Sequence, residues 1–137
     1  MAAISITASG VFASSTATKA MGTAGVAITQ GQPLYLDTAT TTLKLADADA
    51  VSPAYIVAGI ALNAAAIGQP VDYVIADTNF TLGATVLAGD TLWLSPTAGG
   101  ITKTIGDLTT GVNVVVLGVM TSTTTAIVNF IQGGVRA

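Results

Sequence analysis

Apolar residues along this chain come in short bursts divided by Gly, Pro, Asp, Asn, Ser and Thr. Leu34-Tyr35-Leu36 and Thr42-Leu43-Lys44-Leu45 flank a polar reversal from Asp37 to Thr41, which predicts a β-hairpin. Leu92-Trp93-Leu94 and Ile101-Thr102-Lys103 flank Ser95-Pro96-Thr97-Ala98-Gly99-Gly100 and predict a second hairpin with stronger turn chemistry. Gly25–Ile28, Ile56–Leu62, Val71–Ala76, Asn79–Leu82, Val112–Met120 and Ala126–Ile131 are further strand candidates, rich in β-branched residues and bounded by turn formers. Asp47–Ser52 and Asn63–Ala66 read as single helical turns capped by Asp47 and Asn63, too short to build a core. The expected fold is all-β, a compact barrel or sandwich of about ten short strands.

The pattern repeats. Gly31-Gln32-Pro33-Leu34-Tyr35-Leu36-Asp37 is echoed 58 positions later by Gly89-Asp90-Thr91-Leu92-Trp93-Leu94-Ser95. Val57-Ala58-Gly59-Ile60-Ala61 is echoed 59 positions later by Val116-Leu117-Gly118-Val119-Met120, and Lys44 by Lys103 at the same spacing. Shared order, spacing and character predict two related β-hairpin units, about 25–82 and 83–137, within one β domain over 25–137.

Residues 1–24 differ in composition. Ile4-Ser5-Ile6-Thr7-Ala8 alternates like a strand, and Ser9 to Gly25 is a run of small residues with Phe12, Lys19 and Met21 spaced along it. Such a run buries little by itself, so it is expected to form an N-terminal arm that orders on a neighbouring subunit through Phe12 and Met21.

Composition narrows the function. Only 8% of the 137 residues are charged, against about a quarter in ordinary soluble domains. Eleven charges cannot clothe a compact body, and charge depletion is a property of interface cores. The expectation is a chain packed against other subunits, copies of itself in a dimer or trimer among them. The bases Lys19, Lys44, Lys103 and Arg136 are scattered, so no phosphate-binding face forms and direct nucleic-acid binding is not expected. Two uncharged stretches, Ala50–Val71 and Leu108–Val135, are too interrupted by Pro, Gly, Asn, Gln and Thr to span a bilayer as helices, so no membrane partner is expected. With no basic region ahead of an apolar run at the N-terminus, synthesis in the cytoplasm is expected.

The chemistry-bearing residues are sparse. There is no Cys, His or Glu, which removes the thiolate nucleophile, the imidazole base and nearly every zinc ligand set. Asp47 with Asp49 and Asp72 with Asp77 are the closest acid pairs, and Asp beside turns ordinarily serves backbone amides. Lys44 and Lys103 read as solvated strand residues. No catalytic residue, metal site or cofactor is expected, and the chain is read as a non-enzyme. The candidate contact residues are Phe12, Lys19, Met21, Tyr35, Trp93 and Arg136. Tyr35 and Trp93 occupy matching places in the two units, where such rings either plug a core or anchor a subunit contact.

The segment from Val57 to Val71, Val-Ala-Gly-Ile-Ala-Leu-Asn-Ala-Ala-Ala-Ile-Gly-Gln-Pro-Val, preceded by Gly25-Val26-Ala27-Ile28 and Gly31-Gln32-Pro33-Leu34, resembles the small head decoration or cement proteins of tailed bacteriophages. The resemblance covers roughly Gly25 to Ile75, with a fainter second pass from Gly89 to Met120. It implies a structural virion protein, a decoration (cement) protein that binds the outer surface of a phage capsid, contacts the major capsid protein and stabilises the shell. A tail or fibre component is the alternative, followed by a carbohydrate-binding β module with an exposed Trp93 platform.

Overall fold

In the computed structural model, which describes residues 4–136, every strand ladder is antiparallel and ten strands join in one curled sheet. They are β1 (Val11–Phe12), β2 (Thr18–Thr23), β3 (Pro33–Asp37), β4 (Thr42–Leu45), β5 (Gly59–Ala61), β6 (Pro70–Leu82), β7 (Thr91–Leu94), β8 (Ile101–Thr102), β9 (Asn113–Met120) and β10 (Thr125–Val135). The main path runs β4-β3-β5-β6-β10-β9-β7-β8, with β1 and β2 also laid on β6.

The sheet forks at β6. Val74 pairs with both Lys19 and Ile60, Ala76 with both Thr18 and Asn129, and Thr81 with both Phe12 and Thr125. A strand residue has one partner on each side. Hence β1 and β2 run along one edge of β6, while β5 and β10 share the other, β5 near its start and β10 near its end. Two branches diverge from that edge, β5-β3-β4 and β10-β9-β7-β8.

The branches are the two units, and they correspond in detail. Leu34 faces Gly59 across β3 and β5 as Leu92 faces Gly118 across β7 and β9; Pro33 faces Ile60 as Thr91 faces Val119. Gly31 donates its amide to Ala61 O at 2.8 Å and Ala61 its amide to Gln32 O at 2.9 Å; Gly89 donates to Met120 O at 2.7 Å and Met120 to Asp90 O at 2.8 Å. Gly31 and Gly89 both take left-handed backbone, with φ of 93° and 90°. The hairpins open alike, Asp37 Oδ1 accepting the Ala39 amide and Ser95 Oγ the Thr97 amide. Lys103 does not match Lys44: the residue opposite Tyr35 is Lys44, whereas the one opposite Trp93 is Thr102. The second hairpin keeps a strict 58-residue offset, so the shared lysine spacing is no structural equivalence.

Each unit also carries a strand ahead of its hairpin. β2 precedes the first, and the end of β6 precedes the second, so β6 closes one unit and opens the next. The sequence boundary between Leu82 and Gly83 therefore cuts between a shared strand and the unit that it begins.

Four sequence expectations are corrected. The predicted strands Val71–Ala76 and Asn79–Leu82 are one strand, because the intervening Asp77 pairs with Val128 and the irregularity after it is a bulge opposite β10 rather than a turn. The expected arm is part of the body. Residues 11–23 run the length of β6, Val11 lies in the main core, and the amides of Ile4 and Thr7 bond Ile101 O and Gly83 O; residues 1–3 lie outside the described residues. The long edge of β6 needs a partner, and the small residues of this segment allow the approach. Finally, Asp47 and Asn63 cap no helix, and Gly25–Ile28 makes only isolated bridges, Ala24 to Leu43 and Ile28 to Ala65.

Gly59 and Gly118, the glycines shared by the second echo, pass where a side chain does not fit. A Cβ on Gly59 would stand 2.7 Å from Val74 O, and one on Gly118 2.1 Å from Ile127 O, the equivalent carbonyl. Gly59→Ala and Gly118→Ala are each expected to cost roughly 1–3 kcal/mol or more, read as a fall in thermal midpoint, because the obstacle is backbone. Gly106→Ala, where the nearest atom would lie at an ordinary 3.8 Å, is expected to leave the midpoint unchanged. Deleting residues 1–24 strips the partner from β6 and the buried Val11 and Ala24 from the cores, so the truncated chain is expected to melt well below the full one.

Candidate interaction faces

Two buried clusters arise from the fork. The larger holds Ile60 and Val74 from the first branch together with Leu92, Ile101, Leu117 and Met120 from the second, with Phe80 and Leu82 from the end of β6. The smaller holds Leu34, Leu43, Ala61 and Val71 on the opposite face of the first branch, closed by Ala24, Ile28 and Ala65. Equivalent residues thus sit in different clusters: Leu34, Leu43 and Ala61 in the smaller, and their counterparts Leu92, Ile101 and Met120 in the larger. The branches are stacked head to tail, one face of the first against the opposite face of the second.

This arrangement leaves one face over. The first branch buries Ile60 and Val74, which are 1% and 0% exposed; their counterparts Val119 and Ile127 are 41% and 43% exposed. Val119 and Ile127 are direct cross-strand partners, and Thr91 lies beside Val119 on β7. A second row runs from Trp93 through Val116 to Ile131. Trp93, between the buried Leu92 and Leu94, is half-buried and packs on the main core, so this second row is partly covered. No ionisable residue occurs from Leu108 to Val135. Beyond Asn129, β10 pairs with β9 on one edge and has no ladder on its other edge among the described residues.

At the opposite end of the stack, residues 24–29 and the 62–69 loop form the outer surface of the first branch. Ile28 and Ala65 exchange backbone hydrogen bonds of 2.8 and 3.0 Å. Asn63 fastens the loop to β6, donating from Nδ2 to Pro70 O and accepting the Asp72 amide at 2.7 Å, and Gln69 Oε1 takes the Ala66 amide at 2.9 Å. Ile67 projects from this pinned loop, 73% exposed.

The sequence-predicted contact residues are dispersed. Phe12 and Met21 point outward from β1 and β2, 59% and 69% exposed, and Lys19 is exposed on β2. Tyr35 and Trp93 hold equivalent positions and are both half-buried against the main core, so Trp93 offers no fully open ring to a sugar. Arg136 is turned inward, its Nη1 donating to Ile105 O at 2.6 Å and to Leu108 O. Val119, Ile127 and Ile67 were missed. The signal for Val119 lies in the echo itself, as the counterpart of Ile60, whereas Ile127 lies outside both echoes and matches Val74 only through strand register.

Asp77 was read as one of several turn carboxylates and proves to be buried. The Ser14 amide donates to its Oδ2 at 2.7 Å, the Ser14 hydroxyl to its Oδ1, and the Asn79 amide to Oδ1 at 3.0 Å. Ser14 lies between β1 and β2, so the carboxylate bridges the gap where strand pairing lapses. Burial pushes its pKa up, but the hydrogen bonds from Ser14 and Asn79 outweigh this and hold it below the ordinary 3.8. The half-buried Asp37 is likewise lowered, chiefly by its hydrogen bond to Lys44, with Nζ to Oδ2 at 2.7 Å.

No family model, curated protein or solved structure matches the chain. Among the described residues no helix is long and apolar enough to cross a membrane.

A carboxyl whose folded pKa is depressed stabilises fully above its unfolded pKa, and that contribution is lost as pH falls through the folded value. The thermal midpoint is therefore expected to drop in acid below about pH 4, with Asp77→Asn flattening that dependence. At neutral pH, Asp77→Ala strands buried amide donors and is expected to cost roughly 3 kcal/mol by denaturant titration.

Proposed function

We propose that this chain is a structural virion protein that binds the outer surface of a tailed-phage capsid, against the major capsid protein, and stabilises the shell. The observation that carries the reading is the balance of the surface. Thirteen large apolar side chains are exposed among the described residues, against eleven charged residues in the whole chain. Isolated exposed apolar groups are ordinary, but rows of them across the uncharged strands β7, β9 and β10 mark a contact surface. A cement works through many modest contacts repeated by shell symmetry, where avidity replaces any single strong site. Low charge suits it, because broad faces then close without desolvating ions. Phe12 and Met21 are the shell-facing anchors in this reading, since both are exposed and project from strands bound firmly to β6.

The test is sedimentation with expanded empty shells of the source phage. The chain is expected to co-sediment at saturable stoichiometry and to raise the temperature at which shells disrupt. Phe12→Asp with Met21→Asp is expected to weaken binding at least tenfold while leaving the fold intact by circular dichroism. Absence of binding by the unaltered chain, together with its absence from the particle by cryo-microscopy, overturns the reading.

A further inference from the structure

We infer that copies of this chain associate head to tail, the open sheet face of Thr91, Val119 and Ile127 on one copy packing against the pinned loop bearing Ile67 on the next. The argument comes from the stack inside the chain. There, the face carrying Ile60 and Val74 is buried against the following unit, and both residues have lost nearly all contact with water. The second unit rebuilds the same face with Val119 and Ile127 in the same register, and among the described residues both stay exposed, at 41% and 43%.

Three observations select a second copy as the occupant, and this particular surface on it. The internal joint is heterologous, one face of a unit against the opposite face of the next, so repetition of that joint between molecules leads from the open face to the far end of the first unit. That far end presents Ile67 on a loop already fixed by Asn63, Gln69 and the Ile28–Ala65 bonds, so little ordering cost remains when it docks. The stretch 50–71 that contains this loop is uncharged, as is the stretch 108–135 that supplies β9 and β10 of the open face, so two copies meet without opposing like charges. A heterologous contact either closes into a ring or grows as a filament.

The inference deepens the reading of a shell-binding protein, but its test uses no shells, so the two fail separately. Mass in solution is measured by light scattering from about 1 to 100 µM, a range suited to a contact of moderate strength. The unaltered chain is expected to exceed its 13.5 kDa monomer mass. Ile127→Lys and Ile67→Lys are each expected to give monomers, and their equimolar mixture a 1:1 pair that goes no further, since each variant keeps one sound surface. Leu87→Lys, at an exposed apolar site outside both surfaces, is expected to associate as the unaltered chain does. Should Ile127→Lys fail to fold, Val119→Thr with Ile127→Thr preserves β-branching and is expected to weaken association at least tenfold. A monomer at every concentration, association that survives Ile67→Lys, or a mixture that stays monomeric overturns the inference. Loss of shell binding with association intact sinks only the capsid reading.

Discussion

A buried carboxylate sits beside the place where this sheet divides. Asp77 lies on the one strand common to both units, inside the stretch Ala76–Thr81 that pairs with β10 and just past Tyr73 and Val74, which pair with β5. An ionised group away from water persists only when donors surround it, and here Ser14 and the Asn79 amide supply them. Ser14 comes from the N-terminal segment, so the same bonds hold β1 and β2 in line along the outer edge of β6. Without that edge covered, the longest strand would present unpaired amides and carbonyls through most of its length. The edge strand and the buried charge are held by the same bonds, next to the fork.

From the fork follows the use of faces. Two branches leaving the same edge of one strand lie one above the other, so the top of the lower meets the bottom of the upper. Sequence repetition then acquires an uneven outcome. Ile60 and Val119 share register, neighbours and chemistry, yet one is sealed and the other open, because a stack of two has a joint in the middle and unlike faces at its ends. Gly59 and Gly118 are spared this asymmetry, since what they avoid is a carbonyl of the adjacent strand within their own unit.

Much of this was legible in the sequence. Both hairpins, the all-β class and the duplication were written in alternating Leu-Tyr-Leu and Leu-Trp-Leu runs with Gly31 and Gly89 ahead of them, because turn chemistry and period-two patterning are local properties. The N-terminal strands were not. Thr18 to Thr23 lacks an apolar stripe, and it is a strand because β6 needs an edge partner, which is a tertiary demand. Asp77-Thr78-Asn79 imitates a turn for a related reason: the polar residues serve a bulge and a crossing segment more than sixty positions away in sequence. Burial along β6 falls at Val71, Val74, Asp77, Phe80 and Leu82, so the strand's inward side shifts as it passes from one branch to the other, and no strict alternation survives to be read. The candidate faces were half legible. Low charge announced a contact surface, but its location depended on which copy of a repeated face the stack leaves outside.

The two ends of the stack differ in how the chain treats them. At the first unit the N-terminal segment continues past β2 as residues 24–28, covers Leu34 and Leu43, and is locked by the bridge from Ile28 to Ala65. Val86, the counterpart of Ile28 in the second unit, does the same for Leu92, but inside the main core, where the first branch closes over it. Every leucine-bearing face therefore carries its own strap, and every valine- and isoleucine-bearing face relies on whatever unit comes next. For the second unit none lies among the described residues. A third unit would cover β9 and β10 but would expose the same face again, so lengthening the chain only moves the open face along. The alternatives are a cap of different construction or another molecule, and along β10 up to Val135 the chain supplies neither charge nor proline to discourage a partner.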